Sequence, residues 1–261
     1  LYFSGIASYH QNNLQSADEK LARVVKEFHM YMQLVHTHGS FCLSLIYQAQ
    51  GQADRASERN SKMMEYAIDT GNQKMLQTTR AFEAELALRQ GRLAEASTWA
   101  NRFRPTPLVP PFGFYMPQLT LVKILLAQDT TDSRRRAADL LDRLNDFLAS
   151  IHYNNFRIQV LALKAIHYNA MGKRPAALKK LTKALELAEP GGFIRLFVDL
   201  GPQMRELLGK LARKNISKNY IRKILAAFRE DEQRVLTGES THPTVHQTSL
   251  RSQSTGEYLT N

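Results

Sequence analysis

Leu88-Arg89-Gln90-Gly91-Arg92-Leu93-Ala94-Glu95-Ala96 reads as a tight turn between two helices. Large apolar residues (Phe82, Leu86 and Leu88) run up to Gly91, and small ones follow it. A glycine here supplies a left-handed backbone at little steric cost. The same arrangement surrounds Gly51, in Gln48-Ala49-Gln50-Gly51-Gln52-Ala53-Asp54-Arg55-Ala56, and Gly172, in Asn169-Ala170-Met171-Gly172-Lys173-Arg174-Pro175-Ala176-Ala177. The glycines are 40 and 81 residues apart, so one unit of about 40 is missing from the series. Its turn falls near residue 131, in Ala127-Gln128-Asp129-Thr130-Thr131-Asp132-Ser133, without a glycine. A period of this length signals a helical solenoid.

Each unit reads as a helix pair. Leu43, Leu45, Ile46 and Ala49 precede the first turn. Leu119, Leu121, Ile124 and Leu125 precede the third, and Ile158, Leu161, Ala162, Ala165 and Ile166 the fourth. The second helices carry a narrower stripe at spacings of three and four: Ala53, Ala56, Met63 and Ala67, then Ala177, Leu181, Ala184 and Ala188. Leu14 to Leu34 is a further amphipathic stretch ahead of these units. Composition agrees. Leu and Ala number 61 and Val and Ile only 20, a balance that favours helix over strand. The expected fold is all-α, a tetratricopeptide-like superhelix of antiparallel helix pairs. Its concave face would bind a peptide, a partner domain or a small ligand.

The single Cys42 excludes an internal disulfide framework and a multi-cysteine zinc site, and favours a reducing, cytoplasmic setting. No apolar run approaches the ~20 residues that span a bilayer, and no signal peptide is visible. The net charge of +11 invites a nucleic-acid reading, but it is localised: residues 173–230 hold 14 Lys/Arg and 5 Asp/Glu, and 231–261 hold 2 and 4. A solvated or partner-facing basic surface is the simpler reading of the amphipathic stretch around 217–229.

Leu1-Tyr2-Phe3-Ser4-Gly5 looks like an expression-tag remnant and is set aside from the fold. The repeats then span 6–189, closing helices 190–230, and a flexible linker 231–261, a stretch of Thr, Ser, Gly, Gln and His without a helical stripe.

Leu185-Glu186-Leu187-Ala188-Glu189-Pro190-Gly191-Gly192-Phe193-Ile194-Arg195-Leu196-Phe197-Val198-Asp199, followed by Gly201-Pro202, Met204 and Leu207-Leu208, resembles the segment that closes the repeat region of MalT-like, large ATP-binding regulators of the LuxR type. Tyr220–Phe228 and Leu119–Gln128 are similar to two further family helices, with Val122-Lys123 where the family usually has Ala-Arg. Tyr258-Leu259-Thr260-Asn261 resembles the lead-in to the family's helix-turn-helix domain. The resemblance implies the sensor region of a bacterial transcriptional activator, between an ATP-binding domain and a DNA-binding domain that lie outside this chain. No Gly-x-x-x-x-Gly-Lys-Ser/Thr phosphate loop occurs, so no cofactor is expected here and ATP would sit on the preceding domain. DNA would be bound only through the following domain.

Candidate effector contacts lie at two unit junctions. Arg102-Phe103-Arg104-Pro105-Thr106-Pro107-Leu108-Val109-Pro110-Pro111-Phe112-Gly113-Phe114-Tyr115 interrupts the helices with four prolines. Arg102, Arg104, Phe112, Phe114 and Tyr115 could form a ligand lip, with Tyr153 and Arg157 on the same edge one unit later. The competing reading is a rigid connector whose aromatics pack between units. Glu83 and Glu85 fit surface positions, and Trp99 and Tyr47 packing positions. No catalytic or metal motif stands out, so no enzyme is expected. The functional expectation is an effector- or partner-sensing and oligomerisation module, a small-molecule effector, a protein or a second copy being its partner. The alternative is a pure protein–protein scaffold with no small ligand.

Overall fold

The computed structural model describes residues 1–27, 33–111, 113–214 and 216–237. Among them are thirteen α-helices and no strand. Five antiparallel pairs come first: α1 (Tyr2–His10) with α2 (Leu14–Glu27), α3 (Gln33–Ala49) with α4 (Ala53–Asp69), α5 (Gln73–Arg89) with α6 (Leu93–Arg102), α7 (Pro117–Gln128) with α8 (Thr131–Ser150), and α9 (Asn154–Ala170) with α10 (Arg174–Ala188). The short α11 (Arg195–Val198), then α12 (Pro202–Ala212) and α13 (Lys218–Thr237), close the array.

The turn inside every pair carries a left-handed residue: Asn12 (φ 65°), Gly51 (75°), Gly91 (77°), Asp129 (53°) and Gly172 (72°). Asp and Asn are the side chains that best tolerate this conformation, so the turn without glycine keeps the same geometry. Thr130 and Ser133 then start α8 reciprocally: Thr130 Oγ1 accepts from the Ser133 amide (3.1 Å), and Ser133 Oγ from that of Thr130 (3.0 Å). Among first helices, α3 and α9 are buried on most sides; in α3, Phe41 to Tyr47 are all buried. Second helices bury one stripe only, Ala56, Asn60, Met63 and Ala67 in α4. Small residues on that stripe let paired helices approach closely. The core is three successive clusters: α1–α5 with Phe114, α5–α9, and α9–α13.

Two boundaries move. Residues 1–5 do not hang off the fold. Tyr2 and Gly5 are buried in α1, and a Cβ on Gly5 would lie 2.7 Å from Leu21 Cγ. The expected start of the linker is Asp231, but α13 continues to Thr237. Asp231 is half-buried and accepts from the Arg195 guanidinium at 2.6 Å, a bond that ties the helix down where the apolar stripe fades. Residues 238–261, the remainder of the expected linker, lie outside the described residues.

The array also meets itself. His10 O accepts from the Ile194 amide (2.6 Å), Gln11 Nε2 donates to Gly191 O (3.3 Å) and Asn12 Nδ2 to Glu230 (3.3 Å). The first helix pair therefore docks on the closing helices.

Candidate functional site

Helix α6 is short. It has ten residues, against seventeen in α4, twenty in α8 and fifteen in α10. It stops at Arg102 because Pro105 disfavours helical backbone at Arg104 and a helix interior cannot accept the ring; Phe103 is already extended. In an antiparallel pair, the last turns of α6 would have covered the first turns of α5. A cleft of about 880 Å³, within the usual range for ligand sites, runs between α5 and α6 to this shortened end. Gln77, Arg80, Glu83, Ala84 and Ala87 of α5 form one wall. Trp99 and Phe103, stacked at 4.6 Å and 22°, form the other. Arg102 and Arg104 stand at the rim.

The charges around the cleft are unevenly satisfied. Glu95 is paired with Arg92 at 3.0 Å. Arg104 donates to Asn101 O at 3.3 Å. Arg80, Arg102 and the exposed Glu83 make no ion pair among the described residues, so two cations stand against one unpaired carboxylate. A flat apolar wall beside unpaired guanidiniums can take a ligand with an apolar face and an anionic group.

The second half of the same connector turns inward. Phe114 is buried, edge-on to Tyr9 (5.5 Å). Tyr115 is edge-on to Phe41 and Phe82 (5.4 and 5.3 Å). Both backbone amides donate to His38 Nδ1 at 3.1 Å. His38 must therefore be neutral, and burial lowers its pKa to about 4. Gly113 (φ 91°) makes this approach possible, since a Cβ there would sit 3.0 Å from the His38 ring.

Beyond Tyr115 lies a buried polar chain. The Tyr115 and Thr120 hydroxyls are 2.6 Å apart, and Thr120 donates to Glu85 at 2.8 Å. Lys123 (2.7 Å) and Arg89 (2.9 Å) also bond Glu85, which is 2% exposed. Arg89 reaches Asp199 at 3.5 Å. Asp199 accepts from Tyr9 and Arg195, and Arg195 continues to Asp231, which Arg234 bonds at 2.9 Å. Burial alone would raise the Glu85 carboxyl, but Lys123 and Arg89 outweigh it and hold the pKa at about 2. Burial likewise opposes ionisation of Asp199, and Arg195 with Arg89 hold it well below the usual carboxylate range. His10, buried against Phe114 and Phe193, is lowered to about 4 by burial, with Asp199 opposing.

The structure thus divides the sequence candidates. Arg102 and Arg104 share the cleft. Phe114 and Tyr115 are core residues, not a lip, because the left-handed Gly113 and the His38 bonds fold them inward. Tyr153 stacks on Phe156 (5.5 Å), whose ring shares a small inner void with Phe114. Arg157 stands on α9 and does not line the cleft. The two junctions therefore share the border of an inner void through Phe114 and Phe156, and their arginines do not share the cleft. Phe112 lies outside the described residues. Glu85, placed on the surface by the sequence reading, is buried with partners on α7. Its clue was Arg89 one turn on; Glu83, the other carboxylate of Ala81–Ala87, has no such partner and is exposed, as expected. Trp99 packs against the core as expected, and its half-buried ring also lines the cleft. Among the described residues no group of three or more His, Cys, Asp or Glu could hold a metal ion, and no helix is long and apolar enough to cross a membrane.

Helix pairs repeating on a left-handed turn, stacked side by side, define an array of the tetratricopeptide type. The model of the MalT-like TPR region matches residues 2–214, and the chain belongs to that family. The match takes in residues 2–5 with the rest of α1. No match was found among curated proteins.

Proposed function

We propose that this chain is the sensing region of a bacterial LuxR-type, MalT-like transcriptional activator, acting in the cytoplasm without catalysis or a cofactor of its own. An effector with an apolar face and an anionic group occupies the α5/α6 cleft. One observation carries the reading: α5 bears the cleft wall on one side (Gln77, Arg80, Glu83, Ala84, Ala87) and anchors the buried polar chain on the other (Glu85, Arg89). A shift of α5 on binding would be felt at Asp199 and Arg195, hence at Asp231 of α13. A ligand that prefers one arrangement of α5 shifts the population toward it. The DNA-binding domain expected after α13 would receive that change, and self-association is its natural outlet.

Thermal-shift screening of this chain against aromatic acids, nucleotides, amino acids and sugar phosphates tests the proposal. At 100 times its Kd, a true effector stabilises the fold by about 2.7 kcal/mol. Arg102→Ala should abolish that shift while leaving the unliganded melting point nearly unchanged, and Trp99→Ala should abolish it while lowering that melting point, because the indole packs on the core and on Phe103. Hydrogen exchange in α13 should change on binding. A broad screen with no saturable shift defeats the proposal and favours a scaffold without a small ligand. Binding that survives both substitutions removes the cleft as its site.

A further inference from the structure

Residues 207–229 contain seven Lys/Arg and no Asp or Glu. One of the seven, Lys210, is paired with Glu206 at 2.6 Å. The other six are Arg213, Lys214, Lys218, Arg222, Lys223 and Arg229. All are exposed, and none makes an ion pair among the described residues. Lys218, Arg222 and Arg229 lie within about 40° of one another around α13 and span about 16 Å along it. The opposite side of the helix is fixed in the core by Tyr220, Ile221, Ile224 and Phe228, and the Tyr220 hydroxyl donates to Phe193 O. The cations are thus displayed on an anchored element.

We propose that this face of α13, with Arg213 and Lys214 before it, docks on the phosphate backbone of duplex DNA without reading sequence. Charge complementarity names a polyanion, and the rest of the surface selects among polyanions. A protein partner is usually gripped by an apolar or aromatic centre. Here the exposed large hydrophobic is Ile216 alone, at 37%. A single strand is held by aromatic stacking, yet Tyr220 and Phe228 face inward. A membrane-surface helix gives its apolar side to lipid, and in α13 that side is already buried. What remains is a rigid row of point charges, which suits a regular array of phosphates.

The test is fluorescence anisotropy of the full chain with a labelled random-sequence duplex at increasing KCl. Binding should fall with salt, with a log–log slope of about −0.9 for each phosphate contact. Lys218→Glu/Arg222→Glu/Arg229→Glu should weaken binding at least tenfold and flatten the slope by about 2 to 3. The neutral triple Lys218→Gln/Arg222→Gln/Arg229→Gln should act in the same direction, and its thermal melt shows that the fold is intact. Arg135→Glu/Arg136→Glu, on the ion-paired face of α8, should change little. The proposal is overturned by no binding at 50 mM salt, by equal loss in the α8 variant, or by an unchanged slope in either α13 triple. Preference for a single strand, or capture by phosphatidylserine vesicles without duplex binding, also overturns it.

Discussion

The two faces of α5 are built from similar residues and behave oppositely. Inward, Glu85 and Arg89 are enclosed with Lys123, Thr120 and Asp199, and every charge has a partner. Outward, Arg80 and Glu83 line the cleft, and neither makes an ion pair among the described residues. The connector between α6 and α7 causes both conditions. Its prolines end α6 early and open the outer side, while Gly113 to Met116 fold in and seal the inner one. Enclosure makes a charge expensive to disturb, and exposure leaves it free to bind.

Breaking the inner face should have the largest effect. Glu85→Ala would leave Lys123 and Arg89 without their shared carboxylate, at a cost of about 3–5 kcal/mol, read as a lowered urea midpoint. A smaller loss for Glu85→Gln, which keeps hydrogen-bonding capacity, would sharpen the point.

Acid should act next. His10 and His38 are neutral and buried with pKa values of about 4, below their unfolded value of about 6.5. The unfolded chain binds more protons in that interval, so stability is full above about pH 6.5 and falls as pH drops toward 4. Each histidine contributes up to about 3 kcal/mol. Denaturation measured from pH 7.5 to 4 checks this, and a flat profile would refute it. Below pH 4, protonation of Glu85 and Asp199 continues the decline, because their folded pKa values are depressed.

Gly113→Ala should cost about 1–3 kcal/mol, since a Cβ meets the His38 ring and the backbone has positive φ. Gly5→Ala tests whether the first residues belong to the fold. Its Cβ would press on Leu21, and a drop of about 1 kcal/mol or more in thermal unfolding is expected. The outer face should respond least. Arg102→Ala should alter stability by no more than about 0.5 kcal/mol, while removing ligand-induced stabilisation. A large stability loss there would erase the contrast between the faces.

The repeat was legible because its turns are local. A left-handed residue after an apolar helix leaves its mark within a few positions, and Asp129 could stand in for glycine without breaking the count. The cleft was half legible: four prolines after Arg102 announce a broken helix, but not the vacancy beside it. The inner face was not legible. Glu85 meets Lys123 38 residues away, and Tyr9 meets Asp199 190 residues away, and no sequence periodicity encodes such pairs. Phe114 and Tyr115 misled for the same reason, since aromatics in a loop look free until the loop is seen to enter the core.

The docking of the first helix pair on the closing helices has a further consequence. An open solenoid behaves as a one-dimensional stack in which each repeat feels only its neighbours, so end units fray singly and folding spreads along the row. Joining His10 to Ile194 and Tyr9 to Asp199 turns the row into a ring. Loss of either end then removes contacts at the other. The chain should unfold in one cooperative transition, and its folding should be slowed by closing a loop of more than 180 residues.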